Sequence, residues 1–221
     1  MSSKTRRGGS KRSVTGRSTA NSLEWRNATQ AAAWKSLHKN DINFLLGSAG
    51  SGKTFLAMAH AVLGVLDGKY DKIIMTRPIV EAGEKLGFLP GSAAAKIDPY
   101  MIPLFDAMDF LIGKGTVERT AVNRAVELAP LGYMRGRTLK NAVCVFDEAQ
   151  NATYTQLKLY LTRLGEGSKM IVTGDPSQFD IKDSGLAEVV ERLTGVVNVV
   201  NFSDDDVVRH PMVVEVLKRL P

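Results

Sequence analysis

Apolar residues in this chain fall into two patterns. Mainly apolar runs of strand length occupy residues 42–46, 72–76, 142–146, 169–173 and 196–200, and none alternates strictly with polar positions. Continuous runs of that length suit strands buried on both faces. Between and around them, apolar residues recur at helical spacing over 28–37, 54–66, 99–112, 117–129, 155–164, 186–193 and 212–220. Strands joined by helices are crossover units, so the pattern predicts one doubly wound α/β domain with a mainly parallel sheet of about five strands. Ligands of such sheets gather at the carboxyl ends of the strands. The stretch 83–100 is punctuated by Gly and Pro and reads as a loop, and no internal repeat is visible.

Charge divides the chain in two. Residues 1–20 hold six basic side chains (Lys4, Arg6, Arg7, Lys11, Arg12 and Arg17) and no acid, whereas the remaining 201 residues balance 23 basic against 23 acidic. The net charge of +6 therefore belongs to the tail. Rich in Ser, Thr and Gly, the tail has too little apolar surface to offset its ordering entropy and is expected to be disordered, with 21–221 as the folded domain. It serves solubility or grips nucleic acid. No run reaches the ~20 apolar residues of a membrane span, and the start lacks the apolar core of a secretory signal. With Cys144 as the single cysteine, these features predict a reducing, cytoplasmic setting and no membrane partner.

The strand ends carry the chemistry. After the first run comes Gly47-Ser48-Ala49-Gly50-Ser51-Gly52-Lys53-Thr54, a G-x-x-x-x-G-K-[ST] loop that opens a helix. Its backbone N–H groups and the helix N-terminus suit phosphate oxygens. Lys53 is expected to reach the β- and γ-phosphates of ATP, and the Thr54 hydroxyl to ligate Mg²⁺. The run 142–146 delivers Asp147 and Glu148, the first suited to Mg²⁺ and the second to polarising an attacking water. The run 169–173 ends in Gly174-Asp175-Pro176-Ser177-Gln178. There Gln178 is either a γ-phosphate sensor or part of an ordinary Gly-Asp-Pro turn. His38, His60 and His210 look scattered and show no zinc spacing. Trp25 and Trp34 flank the first helix as hydrophobic anchors.

G-S-A-G-S-G-K-T, D-E-A-Q and G-D-P-S-Q in this order resemble the first RecA-like domain of superfamily 1 helicases. The segments R-P-I-V-E-A-G-E from Arg77, M-R-G-R-T-L from Met134, T-R-L-G from Thr162 and D-V-V-R-H from Asp206 sharpen the match. The series resembles the PhoH family of phosphate-starvation-inducible ATPases, from about Thr29 to Leu220.

That resemblance implies a single RecA-like P-loop NTPase domain that binds and slowly hydrolyses ATP. It also implies a homo-oligomeric ring, hexameric by preference, and contact with single-stranded RNA or another nucleic acid. Gln30 matches a glutamine that reads adenine, and Arg77 a position that touches nucleic acid or a neighbouring subunit, with a plain ion pair as the alternative. No second RecA domain follows in this sequence, so the γ-phosphate arginine is expected from this domain or from a neighbouring copy. Arg209 is the first candidate and Arg163 the second. Arg135 and Arg137 come third, or grip nucleic-acid phosphates instead. Three other readings stay open: a nucleotide-gated RNA scaffold with negligible turnover, an RNA helicase proper, and a small-molecule P-loop kinase.

Overall fold

The computed structural model describes residues 23–78 and 93–208, together with Met212, Val213, Val216 and Arg219, and only the backbone through 93–100. The elements are α1 (Ala28–Lys39), β1 (Ile42–Gly47), α2 (Lys53–Leu66), β2 (Lys72–Thr76), α3 (Ala93–Ile112), α4 (Val117–Ala125), β3 (Val126–Leu128), β4 (Ala142–Phe146), α5 (Tyr154–Leu161), β5 (Lys169–Gly174), α6 (Leu186–Arg192) and β6 (Asn198–Phe202). All pairings between strands are parallel, in the order β3-β2-β4-β5-β1-β6.

Successive side chains of a strand face opposite ways, and here each way leads into a core. Leu45, Ile73, Met75, Val143, Val145 and Ile171 pack beneath α1–α4, while Phe44, Ile74, Cys144, Phe146, Met170 and Val172 pack beneath α5 and α6. Two-sided burial explains why these strands read as near-continuous apolar runs. Burial pushes the Cys144 thiol up to about 12, which makes it a packing group and not a nucleophile.

Three expectations need correction. The sheet has six strands, because the helical pattern over 117–129 breaks at Ala125 and its last residues form β3, pairing with Ile73–Met75 of β2. Three residues are too few for periodicity to separate strand from helix. The last strand begins at Asn198, two residues late, since Gly195 (φ 80°) turns the chain and leaves Val196 exposed. Of the proposed loop 83–100, residues 93–100 belong to α3, and the rest lies outside the described residues. The tail 1–20 also lies outside them.

The histidines are not all scattered. His38 and His60 meet edge to face at 4.9 Å, with Trp34 against both, and Trp25 stacks on Trp34 at 5.0 Å. His60 is buried and its Nε2 has no partner. Burial first, then the charges of His38, Lys169 and Lys69, push its pKa down to about 3. The unfolded chain binds this proton near pH 6.5 and the folded chain does not. The associated stability is therefore complete above pH 6.5 and is lost as pH falls from there toward 3. Denaturant titrations of wild type and His60→Leu from pH 7 to 5 should differ in slope by about 1 kcal/mol per pH unit averaged over that range, wild type being the steeper. Parallel slopes would show that His60 does not titrate this way.

Candidate active site

The phosphate cradle is a turn that only glycine can make. Gly47 ends β1 at φ 133°, and a Cβ there would sit 2.0 Å from the Phe202 carbonyl oxygen. Gly50 and Gly52 also take positive φ, and Gly52 leads into α2 without a side-chain cap. No acid occupies the first turn of α2. Its first N–H groups thus keep both their donors and the positive end of the helix dipole for an anion. Lys53 folds back over the loop, donating from Nζ to the Gly47 carbonyl (2.6 Å) and the Ser48 carbonyl (2.8 Å).

Facing this loop, the ends of β4 and β5 converge on one carboxylate oxygen. Asp147 Oδ1 accepts from Thr54 Oγ1 at 2.9 Å and from Thr173 Oγ1 at 2.5 Å, and the Asp147 N–H holds the Thr76 carbonyl at 2.9 Å. Glu148 follows in a left-handed backbone (φ 56°), unusual for a residue with a Cβ, so neighbouring structure must hold it there. Its Oε2 accepts from Gln150 Nε2 at 2.5 Å, and its Oε1 lies 3.5 Å from Arg77 Nη2. The Gln150 amide oxygen accepts the Asp175 N–H at 3.1 Å. Asp175 Oδ1 in turn accepts from Ser177, N–H and hydroxyl, and so shapes the loop that carries Gln178.

These groups line a cleft of about 280 Å³ bounded by Gly50, Lys53, Thr54, Asp147, Glu148, Gln150, Thr173, Asp175 and Gln178. Two threonine hydroxyls on one Asp oxygen form a hard-oxygen set, and Asp175, which lines the same cleft, has a buried Oδ2 without a partner. That set fits Mg²⁺, which takes one or two protein oxygens and keeps most of its waters. Among the described residues no group of three or more His, Cys, Asp or Glu forms a metal cluster.

The outer side of the loop is clasped by residues distant in sequence. Ser48 Oγ donates to Asp204 Oδ1 at 2.5 Å, and the Val208 N–H to the Gly50 carbonyl at 3.0 Å. Gln30, buried on α1, donates from Nε2 to the Ser51 carbonyl at 3.0 Å and accepts the Arg26 N–H at 3.0 Å. It braces the cradle from behind and is not among the residues lining the cleft. Arg209, the next residue after Val208, lies outside the described residues.

Of the other arginines, Arg77 faces Glu148 at the cleft, and Arg163, Arg135 and Arg137 lie elsewhere. Arg163 follows α5 at the edge where β5 begins, opposite the cleft. It donates to the Arg137 carbonyl (3.2 Å) and to Thr162 Oγ1 (3.1 Å), and its own carbonyl accepts the Leu139 N–H. A crossover helix must return to the start of the next parallel strand, so Arg163 does not reach the cleft of its own chain. Arg137 pairs with Glu127 at 2.5 Å, and Arg135 is exposed beside Tyr133, itself 75% exposed. Sequence reasoning passed over Gln150, Thr173 and Asp175. The signal for the first was present in D-E-A-Q, where the amide follows the acid pair by two positions. Thr173 follows the apolar Met170–Val172 stretch of β5 at its ligand end.

A parallel sheet with a Gly-rich loop after β1 and an acid pair after a strand two places away defines a P-loop NTPase domain. Solved structures share this fold. The large terminase of a thermophilic bacteriophage superposes with a TM-score of 0.57 at 15% identity, covering 88% of this chain and 49% of that one. Its complex with ADP gives 0.53 at 16% identity over 88% and 50%. Within that class the chain belongs to the PhoH-like protein family, which it matches over residues 22–220. It is 49% identical over 187 residues to the PhoH-like protein of Bacillus subtilis (strain 168), covering 82% of this chain and 59% of that protein. It is 41% identical over 192 residues to Protein PhoH of Escherichia coli (strain K12), covering 83% and 54%. The chain thus spans a little over half the length of these curated relatives.

Proposed function

We propose that this domain binds ATP with Mg²⁺ and hydrolyses it, working as a homo-oligomeric ring, preferably a hexamer, on single-stranded RNA in the cytoplasm. The observation that carries the hydrolytic part is the convergence on Asp147 Oδ1, which ties Thr54 of the cradle to the strands that present Glu148 and Gln178. Lys53 neutralises the β- and γ-phosphates, and the N–H groups of 48–54 hold them. Mg²⁺, held by the Thr54 hydroxyl and Asp147, would supply further positive charge to the phosphate oxygens. Glu148 takes a proton from the attacking water as its oxygen bonds to the γ-phosphorus. The bond to the β-phosphate oxygen breaks, and ADP leaves with that electron pair. Gln178 orients the water against the γ-phosphate, and Gln30 sets the loop beside the adenine. Arg209 supplies the remaining charge, from its own chain or from a neighbouring copy. RNA runs over Arg77 and Arg135, with Arg137 and the basic tail in support.

A phosphate-release assay tests this directly. Wild type should turn over ATP, and Lys53→Ala should lower kcat/KM by about 10³-fold, the scale of a lost phosphate clamp. Wild-type turnover no higher than that of Lys53→Ala, with or without RNA, would sink the enzyme reading. One observation favours the second reading, a nucleotide-gated RNA scaffold: both Glu148 oxygens are engaged by Gln150 and Arg77, which suits slow turnover.

A further inference from the structure

The ion pair between Arg77 and Glu148 joins two residues with separate expected tasks. Glu148 is the group that accepts the proton of the attacking water, and an acceptor needs an oxygen turned to that water. In the structure Oε2 is held by Gln150 and Oε1 by Arg77. The two grips differ in kind. Gln150 is buried and anchored through its amide oxygen to the Asp175 N–H, so it is a fixed part of the cleft. The Arg77 pair is open to solvent, with side chains 35% and 39% exposed and charged atoms 3.5 Å apart. A pair of that kind contributes little and is easily exchanged. Arg77 also stands just after β2, at the strand end where Thr76 meets Asp147 on one side and Ala129 on the other. Its guanidinium stands where it can turn from Glu148 to an anion at the rim.

We infer that Arg77 is a restraint on Glu148 that a nucleic-acid phosphate releases, so that the same arginine both contacts the strand and licenses hydrolysis. A guanidinium makes paired, charge-assisted hydrogen bonds to a phosphodiester, which a partly exposed contact at 3.5 Å does not match. With Arg77 on the phosphate, Oε1 turns to the water while Gln150 keeps the carboxylate in register. Gln150 is the positioning residue of this pair, and Arg77 the restraining one. This inference rests on the hydrolytic reading of Glu148 given above.

The test is steady-state ATP turnover with and without a 20-nucleotide oligouridylate. In wild type the oligonucleotide should raise kcat about tenfold, part of the ~10²–10⁴ that a positioned general base contributes. Arg77→Ala should show that higher kcat without oligonucleotide, gain little on its addition, and keep the KM for ATP. Arg77→Lys, which keeps the charge, should fall between. Should Arg77→Ala fail to fold, wild type alone decides, because an exposed ion pair is screened by salt. Its oligonucleotide-free kcat should then rise about twofold from 50 to 500 mM KCl. Active enzyme whose Arg77→Ala variant is slower, or equally stimulated, overturns the restraint and leaves hydrolysis standing, as does a flat salt response. No turnover in wild type or variant removes the hydrolytic reading, and this inference with it.

Discussion

Glu148→Gln should lower kcat by about 10²–10³-fold while leaving the affinity for ATP within about twofold, as expected when a general base is lost and ground-state binding is not. The amide has nearly the shape of the carboxylate, so the left-handed backbone at φ 56° and the packing around Gln150 are conserved. What disappears is the proton acceptor, together with the charge facing Arg77. The cradle lies on the other wall of the cleft and keeps its contacts to Asp204 and Val208. Single-turnover phosphate release and titration with a fluorescent ATP analogue separate the two quantities. A loss of kcat smaller than tenfold would mean that Glu148 is not the proton acceptor, and Asp175, whose buried Oδ2 is unpartnered, would be the next residue to change.

Gly47→Ala should be among the most damaging single substitutions in the domain. The new methyl group meets the Phe202 carbonyl at 2.0 Å, a backbone atom that cannot swing aside, at a φ of 133° that side chains avoid. Backbone strain of this class costs about 1–3 kcal/mol, and the overlap adds to it, so a loss of about 3–5 kcal/mol is expected in a denaturant titration. The damage falls where β1 pairs with β6, directly beneath the phosphate loop, so nucleotide binding should be lost with it. Gly68→Ala is the control. That glycine also has positive φ (68°), but nothing lies within 4 Å of its added Cβ, so only the backbone term applies, about 1 kcal/mol. Equal effects at the two positions would contradict the steric account.

How much of this was readable from sequence depends on burial. β1, β2, β4 and β5 lie in the sheet interior with both faces covered, and their apolar runs mark them to within one residue. The two edge strands were harder. β3 hides in the tail of a helical pattern, and β6 is only partly buried over Asn198–Val200 and exposed at Asn201, so its start follows the Gly195 turn and not its hydrophobicity. The loop motifs pointed to Lys53, Thr54, Asp147, Glu148 and Gln178 because a phosphate loop and its acid pair have fixed local spacing. Contacts across the fold have no such signature. The grip of Gln150 on Glu148, the brace from Gln30 to Ser51 and the meeting of His38 with His60 depend on how the crossovers stack. Arg163 shows the reverse problem, since distance along the chain does not say which edge of the sheet a residue reaches.

The strand order β3-β2-β4-β5-β1-β6 has a consequence for the timing of assembly. β1, which carries the phosphate loop, is made early, yet its neighbours β5 and β6 begin only at Lys169 and Asn198. Emerging from the ribosome, the nascent chain presents the loop long before anything can hold it. Pairings this far apart in sequence form slowly, because the intervening chain must be closed first. The nucleotide site is thus a late event in folding: Gly47 waits for Phe202 and Ser48 for Asp204. Competence to bind nucleotide should appear only when most of the domain has been synthesised.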